Sequence, residues 1–231
     1  MKGHVPFVYR GRRIGWLRPE FAARLGEFPE VFTQVKGEVH LLAAQGLHVV
    51  MRQLQKDGLI PGWRDERYRI DDLFEIERAA ARPFGLTTYA VHVNGLSQGK
   101  MWIARRSATK PVDPGMLDNL VGGGMTAGLT QEQVLVKEAW EEAGIPEALA
   151  RTATRGGMVK ILREVPEGVQ SEVIYVYDLE LPADFQPVNQ DGEVSEFKLM
   201  EIEHVFASTE LTHDAMLVAR DYQSRRRATA P

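Results

Sequence analysis

Cysteine does not occur in the 231 residues. That absence excludes disulfides, thiolate metal sites and cysteine nucleophiles. Long apolar runs are missing too, and none approaches the roughly 20 residues a membrane-spanning helix needs. A positive surplus is also lacking: 28 Lys and Arg stand against 32 Asp and Glu, a net charge of −4. Such a balance offers no electrostatic case for gripping a nucleic-acid backbone. Paired histidines are absent. His4, His40, His48, His92, His204 and His213 are scattered without helical or strand spacing, so a histidine-built metal site is not expected. Residues 1–15 carry Lys2, His4, Arg10, Arg12 and Arg13 without an apolar stretch, so no signal peptide is read there. There is no internal repeat and no low-complexity tract. What remains is 44% hydrophobic and 26% charged, the composition of an ordinary folded chain. A soluble, cytoplasmic protein of one to two domains is expected, at roughly 150 residues per domain.

Punctuation and periodicity divide the chain near residue 85. Before it, Val5–Trp16 reads as extended with a turn at Gly11, and Pro19 opens a short helix that Gly26 ends. Val31–Leu42 reads as a strand pair bent at Gly37. Leu47, Val50, Met51 and Leu54 fall on one helix face. Asp72 and Glu75 have the spacing of a reciprocal cap, which predicts a helix ending before Pro83. Beyond Gly85 the pattern turns to period two. Strands are expected over Thr87–Asn94 and Lys100–Arg106, joined by a hairpin at Gly95–Gly99. Further strands are expected over Met158–Glu164, Glu172–Leu181 and Glu193–Met200, with a closing helix near His213–Arg226. The fold class is α+β: a smaller α+β domain over residues 1–85, then residues 86–231 with a mixed sheet packed between helices.

The chemistry concentrates in one stretch. Gly122-Gly123-Gly124 precede a helix expected over Gln131–Ala143, opened by a Thr130/Gln133 capping box and stopped by Gly144 and Pro146. Glu138, Glu141 and Glu142 lie at i, i+3 and i+4, three carboxylates on one face, expected to be open. Val136, Ala139, Trp140 and Ala143 are expected to form the buried face. Clustered carboxylates repel one another, and a hard divalent cation, Mg²⁺ or Mn²⁺, is the natural counter-charge where no thiolate exists. The glycines just upstream let backbone approach the same place. A merely solvated Glu-rich helix is the bland alternative.

This stretch resembles the Nudix box, Gly-x5-Glu-x7-Arg-Glu-(apolar)-x-Glu-Glu-x-Gly-(apolar). Gly123, Glu138, Ala139, Glu141, Glu142, Gly144 and Ile145 match it. Leu129 stands where the family has its first Glu, and Lys137 where it has Arg; these are the ends of a family salt bridge, lost together. The resemblance implies a Nudix α/β/α sandwich and an acid-anhydride hydrolase that binds metal through Gly123, Glu138, Glu141 and Glu142. Glu141 is then ligand or base. Segments such as Trp102–Ser107, Leu117-Asp118-Asn119 and Val188–Glu193 are further similar to a Nudix subfamily associated with thiamine pyrophosphokinase, in which a domain of unknown function comes first. That implies cleavage of thiamine diphosphate, or its oxidised and oxy analogues, to the monophosphate. Two alternatives stand beside it: a nucleoside-diphosphate derivative such as ADP-ribose as substrate, or a module that binds a phosphorylated metabolite without cleaving it. Retention of all three glutamates argues against the last.

Other candidates are weaker. The family often draws one more carboxylate from the Asp191–Glu196 region, and Glu193 is preferred as catalytic base because Gly192 precedes it; Asp191 and Glu196 stay open. Arg105 and Arg106 end a strand and point to opposite faces, so at most one reaches the diphosphate, with Lys110 a further cation. Asn119 and Trp102 are candidate substrate contacts, the latter by ring stacking. The expected partner is a small-molecule diphosphate, with neither nucleic acid nor membrane.

Overall fold

The computed structural model describes residues 1–229; residues 230–231, the end of the expected second domain, lie outside them. The chain divides into two compact units. The first comprises Met1–Thr88 with two outlying segments, Thr126–Gly128 and Lys160–Glu172; the rest of the chain forms the second.

In the first unit, β1 (Val5–Tyr9), β2 (Arg12–Leu17), β3 (Phe32–Val35) and β4 (Glu38–Leu41) form a sheet of order β2-β1-β4-β3. It is mixed, because β4 runs parallel to β1 while the other pairs are antiparallel. Helix α1 (Pro19–Leu25) starts on Pro19, where a missing N–H costs no helical bond. Helix α2 (Leu47–Lys56) buries Leu47, Val50, Met51 and Leu54, the face set by their spacing. Phe84 gathers the core, edge-on to Phe21 at 5.1 Å and tilted on Phe7 at 5.6 Å.

One element takes a different form from that expected. Asp72 and Glu75 do not cap a helix: β5 (Arg67–Ile70) and β6 (Phe74–Glu77) pair antiparallel, with Ile70 opposite Phe74 and Asp71 turning the chain at φ +47°. Tyr68, Ile70 and Ile76 are buried. Alternate residues reach the core only on a strand, and that burial outweighs a local capping preference of about 1 kcal/mol.

A seven-stranded sheet supplies the strands beyond residue 86. Strands β7 (Thr87–Ser97) and β8 (Lys100–Arg106) form its central hairpin. The turn is tighter than expected: β7 runs through Gly95, and Gln98 and Gly99 alone reverse the chain, both at positive φ. Strand β9 (Leu117–Asn119) pairs with β8, and β10 (Val121–Gly124) with β7. With β11 (Thr154–Val165), β12 (Gly168–Glu180) and β13 (Val194–Glu201) the main order is β11-β12-β7-β8-β13.

Period-two alternation sorts each strand between two cores. Val91, Val93, Trp102 and Val121 pack with Leu135, Ala139 and Ala143 of α3 (Gln131–Ala143), which α4 (Glu147–Ala150) follows. Met101, Ile103 and Leu117 pack on the other face with α5 (Ile202–Ala207) and α6 (His213–Thr229) through Val205, Ala215 and Ala219. This is the expected α/β/α sandwich. Each fully buried Val or Leu contributes on the order of 1.5–3 kcal/mol.

Candidate active site

Helix α3 is positioned by its own ends. Thr130 Oγ1 accepts from the Gln133 amide at 3.2 Å while Gln133 Oε1 accepts from the Thr130 amide at 2.9 Å. Gly144 ends the helix in the left-handed region at φ +64°, which a side chain would resist.

The helix is turned part-way from the expected face: Ala139 and Ala143 are buried and Val136 packs against the core as expected, but Trp140 is not buried and Glu142 is. Trp140 is 52% exposed, and the buried stripe runs through Leu135, Ala139, Glu142 and Ala143. Glu142 therefore does not lie on an open face. It is 7% exposed, and its Oε2 accepts from the Gly122 amide at 2.8 Å. The reason is opposite the helix: β10 supplies glycines, so carboxylates fit where bulky apolar groups would otherwise pack. A Cβ added at Gly123 would collide with Cγ and Cδ of Glu138 and lie 2.7 Å from its Oε2. Glu138 is mostly buried, whereas Glu141 is 39% exposed in its side chain. Lys137 bridges the two, with Nζ 3.0 Å from Glu138 Oε1 and 2.6 Å from Glu141 Oε2.

Burial pushes the Glu142 carboxyl up to about 8; the Gly122 amide and Lys110 oppose the rise, while Glu138 and Asp118 add to it. Among the described residues, no three His, Asp or Glu side chains converge as a ready cage for a metal. The residues nevertheless fit a hard divalent cation. Glu138 lies in a cradle that a Cβ at Gly123 would fill, and Glu142 is a buried acid with the carboxylates Glu138 and Asp118 nearby.

The cleft beside Glu142 is lined by Arg106, Lys110, Asp118, Gly122 and Glu193 among others. Lys110 and Glu193 form an ion pair there, and the Glu193 amide donates to Asp191 Oδ1 at 2.8 Å. Arg106 donates to Asp118 Oδ2 at 2.7 Å and to the Val112 carbonyl at 2.8 Å. Arg105 leaves on the other face, bonded to Glu196 and Glu210 at 3.2 Å and to the Gly115 carbonyl at 2.7 Å. Neither Arg105 nor Glu196 lines this cleft.

Asn119 borders the cleft but is 2% exposed, and its side chain is spent on the protein. His92 Nδ1 donates to its Oδ1 at 2.8 Å, and its Nδ2 donates to Asn94 Oδ1 at 3.3 Å. Asn94 in turn donates to Asp178 at 2.9 Å, where Arg225 closes the chain. Trp102 is 7% exposed in the α3-side core, and its Nε1 has no hydrogen-bond partner among the described residues. Asp118 and the His92–Asn94–Asp178 chain were not picked out from sequence. For Asp118 the signal was available: strand alternation puts it on the face opposite Asn119, the face of Arg106.

Residues 86–221 match the NUDIX domain family, and residues 1–88 match a family described as a domain of unknown function, DUF4743. Two Arabidopsis thaliana proteins, "Nudix hydrolase 24, chloroplastic" and "Nudix hydrolase 20, chloroplastic", are 39% and 38% identical to this chain, each over 87% of it. The chain spans 60% and 61% of their lengths. Among solved structures, DR0079 from Deinococcus radiodurans aligns at a TM-score of 0.50 with 25% identity, covering 68% of this chain and 98% of that one.

Proposed function

The chain belongs to the Nudix family, and from that premise we propose that it hydrolyses a diphosphate linkage in a small molecule with a divalent cation, Mg²⁺ or Mn²⁺. The observation that carries this reading is the company Glu142 keeps: one cleft holds that carboxylate, the cations Arg106 and Lys110, and the further carboxylate Glu193. Glu138 and Glu142, beside the backbone at Gly123, would hold the cation, with Glu141 at the rim. When bound, it neutralises diphosphate oxygens and lowers the pKa of an attacking water. Arg106 and Lys110 bind and orient the phosphoryl oxygens, exchanging Asp118 and Glu193 for the substrate. Release from Lys110 leaves Glu193 free to take the proton from water.

For the substrate we propose thiamine diphosphate or its oxidised and oxy analogues, cleaved to the monophosphate and phosphate. The resemblance of the Trp102–Ser107 and Val188–Glu193 segments supports this reading. A neutral oxo ring brings a carbonyl acceptor that a buried donor can use, whereas an unpaired donor costs roughly 1–3 kcal/mol. The test compares thiamine, oxothiamine and oxythiamine diphosphates with ADP-ribose at equal Mg²⁺, resolving products by chromatography. A higher kcat/KM for the oxo or oxy compounds is expected. Faster cleavage of ADP-ribose would overturn the thiamine assignment and leave the diphosphatase reading standing; no Mg²⁺-dependent cleavage of any of the four would count against both.

A further inference from the structure

The first unit contains a cavity of about 330 Å³, walled by Met51, Arg52, Trp63, Arg67, Glu75 and Glu77 among others. That is within the usual size of a small-molecule site, roughly 300–1,000 Å³. One wall is a layered stack. The Arg52 guanidinium lies 4.0 Å over the Trp63 ring, and Asp65 Oδ1 fastens both, accepting from Trp63 Nε1 at 2.8 Å and from Arg52 at 2.7 Å.

The charges do not cancel. Asp65 has Arg52, and Glu75 has Arg67 at 3.7 Å. Glu77 is 4% exposed and has no cation among the described residues. Its Oε1 accepts from the backbone amides of Arg64 at 3.1 Å and Ala79 at 3.2 Å, which fixes the carboxylate in place. Its Oε2 has no protein partner among the described residues. Glu77 lines the cavity, so this oxygen is left to solvent there and is open to a donor carried by a ligand, a charge-assisted bond stronger than a neutral one.

We propose that this cavity is a second ligand site, for a planar aromatic cation whose N–H edge pairs with Glu77 and whose ring lies against the Arg52–Trp63 wall. A phosphate or carboxylate ligand is disfavoured, since it would face Glu77. The chemistry separates this site from the diphosphate cleft, whose cations Arg106 and Lys110 suit an anion.

Isothermal titration of the full chain with benzamidine, benzamide and benzoate tests the assignment, because the three share one shape and differ in charge. Benzamidine is expected to bind once per chain, about tenfold tighter than benzamide, the scale of one charge-assisted hydrogen bond, with no binding of benzoate. Glu77→Gln keeps the acceptor for both backbone amides and should abolish the preference for benzamidine over benzamide, leaving diphosphate hydrolysis unchanged. Trp63→Phe, which leaves the carboxylate intact, should weaken benzamidine severalfold and covers the case in which the Glu77 variant fails to fold. Benzoate binding as tightly as benzamidine, no benzamidine binding at millimolar concentration, or unchanged benzamidine binding in the Trp63 variant would each overturn the proposal.

Discussion

Lys137 and Glu141, one turn apart on α3, form an ion pair with Nζ 2.6 Å from Oε2. Burial works against the ammonium, but the bonds to Glu141 and Glu138 outweigh it and raise the Lys137 pKa. With its side chain 44% exposed, the pair is largely screened. Lys137→Met is expected to cost less than about 1 kcal/mol of stability by urea denaturation. A loss several times larger would show that the ammonium holds the two glutamates together rather than resting on them.

Gly123→Ala tests the cradle. The added Cβ displaces the Glu138 carboxylate, and misplacement of about 1 Å costs on the order of 10²-fold in turnover. The melting temperature should fall as well, because the clash reaches Glu138 Cγ and not only the end of the side chain. Unchanged activity would remove Glu138 from the metal site.

Glu138→Gln and Glu142→Gln should each lower turnover by on the order of 10²-fold or more at saturating Mg²⁺. Glu142→Gln can still accept from the Gly122 amide, so circular dichroism should report a native fold. Near wild-type turnover in either variant at low Mg²⁺ contradicts the assignment.

The buried Glu142 carboxyl also sets a pH dependence. Between its ordinary value of 4.5 and about 8, the folded chain holds one more proton than the unfolded chain. Stability is therefore full below pH 4.5 and declines as pH rises towards 8, by at most about 1.4 kcal/mol per pH unit. Denaturation in EDTA from pH 5 to 8 should show this decline. Glu142→Gln should flatten it, and Mg²⁺ should recover stability at pH 8 in the wild type alone. A decline of equal slope in the variant would trace it to another group.

Asn94 is fully buried and links Asn119 to Asp178. Asn94→Ala strands the Asn119 amide and is expected to cost about 1–3 kcal/mol in urea denaturation. A loss below about 0.5 kcal/mol would mean that His92 and Arg225 hold the chain without it.

By itself the sequence determined what depends on partners within four residues. Thr130 and Gln133 cap α3 wherever that helix packs, Gly144 ends it through its own backbone, and Glu138, Glu141 and Glu142 share a face through helical geometry alone. Tertiary structure decided which way that face turned. Periodicity gives the angle between Trp140 and Glu142 but not the direction of the core, and the glycines of β10 selected the carboxylate side for burial. The same limit applies at Asp72, where a capping pattern and a strand alternation overlap and only the core that receives Tyr68, Ile70 and Ile76 chooses between them. Lys110 and Glu193 stand 83 residues apart, and while strand alternation sends Arg105 and Arg106 to opposite faces, it does not name Glu210 for the one or Asp118 for the other. Such pairings carry no local signature, because the free energy that makes them comes from the packing of whole strands rather than from neighbouring residues.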